Sequence, residues 1–236
     1  MRFLFGILIS MKESNPFEEE NIAVQWISSV EGERGLMRDN KIYPSLQKWF
    51  EKTSKGVVVD IGSGQGICSL KISGYSRYIG VEPSSFLVAR AKELYSSPER
   101  DFLEGDAYAL PLLGTGCDNA FSINVWFHLE NLQKASEELA RVLKRGGKFF
   151  IHTADGDALD FWKACYINPQ IQGKKMIGEV KVPVNNLSVN TFYMYDNAEV
   201  FSALEKAGLK ILNVTKLGLP EKEKPIFIAI EGEKIL

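Results

Sequence analysis

The sequence predicts a Rossmann-like α/β fold: a seven-stranded, mainly parallel sheet with helices on both faces and an antiparallel last strand. Three observations predict it. Short β-branched or aromatic runs alternate with helical stretches, which is the pattern of βαβ units. A glycine-rich turn follows the first run, and two closing strands end the chain. The 236 residues, 45% of them hydrophobic, suit one such domain with a sizeable core.

The first 40 residues are predicted to be an N-terminal extension and helical segment that precedes the main domain. The apolar run at 3–9 is too short to span a bilayer and lacks the small-residue cleavage site of a signal peptide. It is either a short packed element or an extension upstream of a natural start at Met11, and we favour the extension. Residues 13–53 have a helical pattern, with one helix expected from Tyr43 to Lys52.

The strands and helices of the main domain, 41–236, follow in alternation. The clearest helix is predicted from Leu129 to Leu143, with its apolar residues on one face and Gly146 and Gly147 marking its end. Five strands are expected in the first part of the domain, at 57–59, 78–81, 101–103, 120–123 and 148–151.

The regular alternation of strands and helices stops at about residue 155. Residues 155–194 are rich in aromatic side chains and broken by prolines, so we interpret them as an insertion rather than a separate domain. A helix capped by Asp196 and Asn197 should then end at Gly208, before closing strands at 209–215 and 226–230.

Composition argues against several classes of protein. The net charge is −2 and no basic stretch stands out, so a nucleic-acid partner is not expected. Cys68, Cys117 and Cys165 have neither CxxC nor His/Cys spacing, which predicts no metal site and reduced thiols. We therefore expect a cytoplasmic protein without a membrane segment.

The strongest chemical signal is the run from Asp60 to Gly66, DIGSGQG. Alternate glycines after a strand let a ligand approach the backbone, and the following helix offers free N–H groups. A dinucleotide fingerprint, GxGxxG, does not fit, because its third glycine would fall on Ile67 or Ser69. The carboxylate of Asp60 would repel a pyrophosphate but attract an ammonium. The pattern thus indicates a ligand with an adenosine end and a cationic amino-acid end.

These residues resemble the class I S-adenosylmethionine (SAM)-dependent methyltransferases, in the broad small-molecule group that includes the quinone-biosynthesis enzymes. The resemblance covers roughly residues 40–155 and includes the first motif, DxGxGxG. It implies SAM as the cofactor, a ribose contact from Glu82 after the second strand, an apolar adenine contact from Leu87 and an acidic contact from Asp106. The cofactor-binding residues that it implies are Asp60, Gly62, Ser63, Gly64, Gly66, Glu82, Pro83, Leu87, Asp106, Ala107 and Asn124.

Methyl transfer needs alignment of the reacting groups more than a conspicuous catalytic residue. The candidates for a base or an orienting group are His128, His152, Asp155 and Tyr193, each of which has a structural role as its alternative. Aromatic residues of the 155–194 insertion are expected to form a lid over the pocket, the alternative being that they pack on the far side of the sheet or make a dimer contact.

The acceptor is predicted by exclusion. No Asn/Asp-Pro-Pro-aromatic motif follows the fourth strand, where the sequence reads NVWF, and no Pro-Cys nucleophile is present. A small-molecule acceptor is therefore expected, with the methylated atom and the oligomeric state left open. Two other readings remain: a non-catalytic module that binds SAM or a nucleoside, and an NAD-dependent oxidoreductase, which the glycine spacing and Asp60 disfavour.

Overall fold

The computed structural model describes residues 20–31, 38–53, 55–182, 186–218 and 224–235. Short helical turns lie at Arg38–Ile42, Ile67–Leu70, Trp126–His128 and Gly156–Ala158. The helices are α1 (Glu20–Glu31), α2 (Tyr43–Glu51), α3 (Ser85–Tyr95), α4 (Leu132–Val142), α5 (Leu159–Ala164) and α6 (Asn197–Lys206). The strands are β1 (Val57–Ile61), β2 (Arg77–Glu82), β3 (Arg100–Glu104), β4 (Cys117–Ile123), β5 (Leu143–Ala154), β6 (Tyr166–Gln172), β7 (Lys175–Val182), β8 (Asn186–Tyr193), β9 (Leu209–Leu217) and β10 (Phe227–Lys234).

Seven strands form the main sheet in the order β3-β2-β1-β4-β5-β10-β9. Strand β1 runs parallel to both β2 and β4, whereas β10 is antiparallel to β5 and β9. The predicted fold class is confirmed, including the antiparallel last strand. Because the order reverses between β1 and β4, the carboxyl ends of these two strands border the crevice where ligands bind in open α/β sheets.

The two faces of the sheet carry separate hydrophobic cores. Neighbouring residues of a strand point to opposite faces, so Phe149 packs in one core and Phe150 in the other. The first core includes Leu139 of α4 and Leu204 of α6, and the second includes Trp49 of α2. Helices therefore cover both faces, and the sheet ends remain as the place for a site.

The helix predicted at 129–143 is shorter in the structure. It begins at Leu132, after Asn131, whose side chain accepts a hydrogen bond from the Lys134 N–H. It ends at Val142 because the buried Leu143 already pairs with Cys117 in the sheet. The expected stop at Gly146 lies instead inside β5, where its positive φ of 77° accompanies a shift of register against β4.

The 155–194 segment contains α5 and a second, three-stranded sheet that the sequence analysis did not predict. Its order is β6-β7-β8, and both pairings are antiparallel. Pro169 is tolerated inside β6 because the register shifts between Ile167 and Gln170 and β6 is an edge strand. Pro183, the second predicted breaker, lies outside the described residues.

Helix α1 packs across two parts of the molecule. Ala23 and Ile27 are buried with Leu87 of α3, and α1 also contacts β7. The predictions for residues 3–9, Met11 and the start of the first helix fall outside the described residues. Among the helices that the structure describes, none is long and apolar enough to cross a membrane.

Candidate functional site

The glycine-rich turn after β1 has a backbone that other residues would strain. Gly62, Gly64 and Gly66 have φ values of 77°, 54° and 84°, all in the left-handed region. A Cβ atom on Gly62 would lie 2.3 Å from Cγ2 of Val125. The N–H groups of Gly62 and Ser63 donate to the Val81 carbonyl at 2.8 and 3.0 Å. The turn is thus anchored to β2 and closely approached by the segment that follows β4.

Glu82 lies at the end of β2, beside this turn. Its Oε2 accepts a hydrogen bond from the Gly64 N–H and its Oε1 from the Ser84 N–H, each at 3.0 Å. Burial raises the pKa of the carboxyl, and these two hydrogen bonds oppose the shift. Each carboxylate oxygen has more than one lone pair, so Glu82 retains the capacity to accept hydroxyl hydrogens of a sugar.

Asp60 is buried behind the turn. Its Oδ2 accepts a 2.5 Å hydrogen bond from the Tyr78 hydroxyl. The pKa of Asp60 is raised to about 7. Burial is the main cause and the nearby Glu82 adds to it, while the hydrogen bond from Tyr78 opposes the shift. No lysine or arginine among the described residues forms an ion pair with Asp60. A buried acid of this kind is suited to an ammonium group supplied by a ligand.

The remaining predicted cofactor residues have varied surroundings. Asp106 is exposed, and its Oδ1 accepts from the Tyr108 N–H at 2.7 Å, which closes a local turn. Leu87 is buried against α1, Ala107 is half-buried and Pro83 is exposed. These positions border the carboxyl ends of β2 and β3, but no contact of theirs points to a ligand as directly as those of Glu82 and Asp60.

Asn124 directly follows β4 and has a positive φ of 60°. Its Oδ1 lies 2.8 Å from Nδ1 of His152, and its N–H donates to the His152 carbonyl at 2.9 Å. His152 is fully buried, and burial lowers its pKa to about 3. An imidazole with no exposed surface is a poor fit to a base acting on a bound acceptor, so these contacts favour a structural role for His152.

His128 lies in the short turn after β4 and is half-buried. Its Nδ1 is 2.7 Å from the carbonyl oxygen of Thr191 in β8. A carbonyl oxygen can only accept, so Nδ1 carries the hydrogen and Nε2 keeps the lone pair. Burial lowers the pKa of His128, which keeps the ring neutral. This tautomer leaves Nε2 able to take a proton.

Asp155 and Tyr193 occupy structural positions at the edges of the insertion. Asp155 is buried, accepts from the Asn197 side chain at 2.7 Å and pairs with Lys216 at 3.1 Å. It therefore ties the start of the insertion to α6 and β9. Tyr193 is buried and stacks on Tyr195, with ring centroids 6.1 Å apart, and burial is the main cause that raises its pKa to about 12.

A small pocket lies where the insertion meets the ends of β4 and β5. Phe127, Trp162 and Phe192 stack beside it, with ring centroids 5.1 to 6.1 Å apart. The sequence analysis missed Trp126 and Phe127, although two aromatics at a strand end were a usable signal. None of the lining residues carries a formal charge: Trp126, Phe127, Thr153, Ala154, Leu159, Phe192, Tyr193, Tyr195 and Val200.

Residues 59–151 match a protein-family model described as a methyltransferase domain. A sterol 24-C-methyltransferase from Pneumocystis carinii is 29% identical over 99 residues, which cover 39% of this chain and 26% of that protein. A tRNA (carboxymethyluridine(34)-5-O)-methyltransferase from Mus musculus is 29% identical over 119 residues, 47% of this chain and 16% of that protein. The chain thus spans only 26% and 16% of the lengths of these two relatives.

A solved structure with the same fold is a putative SAM-dependent methyltransferase from Listeria monocytogenes. It has a TM-score of 0.66 at 13% identity and covers 82% of this chain and 98% of its own. The family match over residues 59–151 agrees with the predicted class I SAM-dependent methyltransferase family, whose cofactor is SAM. The likeness to the solved structure confirms the predicted fold.

Proposed function

Residues 59–151 belong to the methyltransferase-domain family, and from this premise we propose that the protein transfers a methyl group from SAM to a small, largely apolar acceptor. The observation that carries the proposal is the arrangement at the ends of β1 and β2. Asp60, which is buried and has no ion-pair partner among the described residues, and Glu82, which accepts two backbone hydrogen bonds, flank a turn of three left-handed glycines. We further propose residues 41–236 as one domain, with 155–194 as its insertion.

The residues present fit SAM. Glu82 would accept the ribose hydroxyls and Asp60 would hold the amino-acid ammonium. Gly62, which has no Cβ, lets Val125 approach the turn that would hold the cofactor. When bound, SAM supplies a methyl group on a cationic sulfur, which a nucleophile displaces in line. The chain's contribution is to orient that nucleophile and to exclude water, in part with the aromatic residues at the pocket.

His128 is the residue that we propose as a base for an acceptor that arrives protonated. Its Nδ1–H is bonded to Thr191, so the Nε2 lone pair is the one available for a proton. The ring lies next to Phe127, which lines the pocket, with ring centroids 4.4 Å apart. His128 would take the proton at Nε2 as the nucleophile reacts, which contributes about 10²- to 10⁴-fold in comparable enzymes.

The proposal of a small-molecule acceptor is based on the insertion and the pocket that it borders. An uncharged aromatic lining favours an apolar or planar group over a charged polymer. The insertion reaches the end of β4 through the His128–Thr191 hydrogen bond and the Phe127–Phe192 stack, so it is placed to act as a lid. One relative acts on tRNA by its name, and tRNA is therefore one arm of the test.

The test has two stages. Calorimetry with S-adenosylhomocysteine (SAH), SAM and NAD measures cofactor choice, and we expect the first two to bind and NAD not to. Release of SAH is then measured with planar phenols, sterols and bulk tRNA as acceptors. NAD binding without SAH binding would contradict the cofactor assignment, turnover only on tRNA would contradict the acceptor, and SAH binding with no turnover on any class would favour a non-catalytic module.

A further inference from the structure

The segment from Asn124 to His128 is held at both ends by an imidazole. At its start, Oδ1 of Asn124 lies 2.8 Å from Nδ1 of His152 in β5. At its end, Nδ1 of His128 bonds the Thr191 carbonyl in β8 at 2.7 Å. The protein has only these two histidines, and both use Nδ1 for a contact that bears on this one segment.

This segment connects the glycine-rich turn after β1, which we propose binds the cofactor, to the aromatic pocket. Val125 lies so close to Gly62 that a Cβ added there would be 2.3 Å from its Cγ2. The next two residues, Trp126 and Phe127, line the pocket. A change in the direction of the chain at Asn124 would therefore move groups at both sites.

The direction of the chain at Asn124 is set by an unfavourable backbone conformation. Its φ of 60° lies in the left-handed region, which costs a residue with a Cβ about 1 to 2 kcal/mol, although asparagine tolerates it better than most. Two polar groups of His152 compensate for this cost: its Nδ1 contacts the Oδ1 of Asn124, and its carbonyl oxygen accepts a hydrogen bond from the Asn124 N–H. The ring itself is fixed by Phe227, with centroids 4.7 Å apart.

We propose that His152 is a positioning residue, whose Nδ1–H holds Asn124 in its left-handed conformation and so seats Val125 against the cofactor turn. The proposal rests on the proposed function for the identity of the cofactor. Because the Oδ1 of Asn124 accepts, Nδ1 carries the hydrogen, and the buried Nε2 has no hydrogen-bond partner among the described residues. The low pKa of His152 agrees with a ring that stays neutral at working pH.

The decisive comparison is between His152→Asn and His152→Gln. An asparagine carries its amide nitrogen the same number of bonds from Cβ as Nδ1, whereas the glutamine amide nitrogen falls near Nε2. Asparagine therefore retains the donor to Asn124 but leaves the larger void. Glutamine fills the space better and loses the donor. Packing alone predicts that the glutamine variant is the better one, and positioning predicts the opposite.

The measurements are SAH affinity by calorimetry and thermal stability for each variant. One hydrogen bond corresponds to roughly three- to tenfold in affinity, so His152→Gln should bind SAH about that much more weakly than wild type, and His152→Asn should recover most of the loss. In an Asn124→Gly background, where glycine adopts the left-handed conformation unaided, His152→Gln should cause no further loss of SAH affinity.

The outcomes separate the two proposals. If wild type fails to bind SAH, the proposed function is wrong. If wild type binds and SAH affinity follows thermal stability across the variants, or if the Asn124→Gly and His152→Gln losses add, His152 acts only in packing and the positioning role is wrong. Long-range ¹H–¹⁵N spectra of the two imidazoles give a check without any ligand: hydrogen on Nε2 of His152 in the wild type would overturn the proposal.

Discussion

The Tyr78 hydroxyl donates a 2.5 Å hydrogen bond to Oδ2 of Asp60, across the parallel pair β1 and β2. Tyr78 pairs with Val58, two residues before Asp60, so both side chains lie on the same face of the sheet. The phenol thereby stabilises the charged form of an acid that burial would otherwise neutralise. The negative charge of Asp60 consequently depends on Tyr78 of the neighbouring strand.

Affinity for SAH should increase with pH. Asp60 has a pKa of about 7 in the free protein, and only its carboxylate attracts an ammonium, so affinity should fall by up to about tenfold for each pH unit below 7. Calorimetry from pH 5 to 8 measures this dependence. 5′-Methylthioadenosine, which lacks the amino-acid end, is the control ligand and should bind independently of pH.

Two variants sharpen this prediction. Asp60→Asn should abolish the pH dependence, and Tyr78→Phe should shift its midpoint to higher pH because the hydrogen bond that lowers the pKa is lost.

The raised pKa also means that the folded state binds the proton more tightly, so the stability that Asp60 contributes is present below pH 3.8 and is lost as the pH rises to about 7. A flat SAH profile in the wild type would contradict the role of Asp60.

Replacing Glu82 should weaken cofactor binding while the domain stays folded. A hydrogen bond to a charged group contributes about 1.5 to 3 kcal/mol, so Glu82→Ala should lower SAH affinity roughly ten- to a hundredfold. Glu104, exposed at the end of the adjacent β3, provides the matched control, and Glu104→Ala should leave affinity unchanged. Wild-type affinity in a folded Glu82→Ala variant would remove this residue from the site.

Gly62 is expected to be required for more than its backbone conformation. Gly62 and Gly146 both have a φ of 77°, but an added Cβ meets Val125 at the first position and nothing within 4 Å at the second. Each alanine variant should lose about 1 kcal/mol of stability from backbone strain. Only Gly62→Ala should also weaken SAH binding. Equal SAH affinity in the two variants would show that the close approach of Val125 to Gly62 does not matter for the cofactor.

His128→Asn should lower turnover and spare cofactor binding. The asparagine amide can still donate to the Thr191 carbonyl, as Nδ1 does, but it has no basic nitrogen in place of Nε2. We expect a loss of about 10²- to 10⁴-fold in kcat on an acceptor that must lose a proton, with SAH affinity unchanged. A variant with wild-type kcat would exclude His128 as the base.

Substitutions in the insertion should change turnover of the acceptor without changing the affinity for SAH. Trp162 stacks on Phe192 and donates to the Ile226 carbonyl at 3.2 Å, while Tyr193 lines the pocket. Trp162→Ala and Tyr193→Ala should lower turnover or raise the acceptor KM with nearly unchanged SAH affinity. Ile171→Ala, at a half-exposed position of the same small sheet, is the control. If neither pocket variant alters turnover, the insertion is not an acceptor lid.

The main sheet and the cofactor turn were predictable because their signals are local. Strand runs, the alternate glycines from Gly62 to Gly66 and the cap at Asp196 each act within a few residues of the chain. In the structure Asp196 and Glu199 form a complete capping box, as such local chemistry leads one to expect. Backbone conformation and periodic burial determine these features, and both can be inferred from residues that are close together in the sequence.

What only the tertiary structure decided are the contacts between distant residues. His152 and Asn124 are 28 residues apart, and His128 and Thr191 are 63 apart. Both histidines were equal candidates for a base in the sequence. Burial and a hydrogen bond to Asn124 now favour positioning for one, and the Thr191 carbonyl leaves a free lone pair on the other. A tautomer and a pKa depend on the partners that packing brings together, and no spacing along the chain specifies those partners.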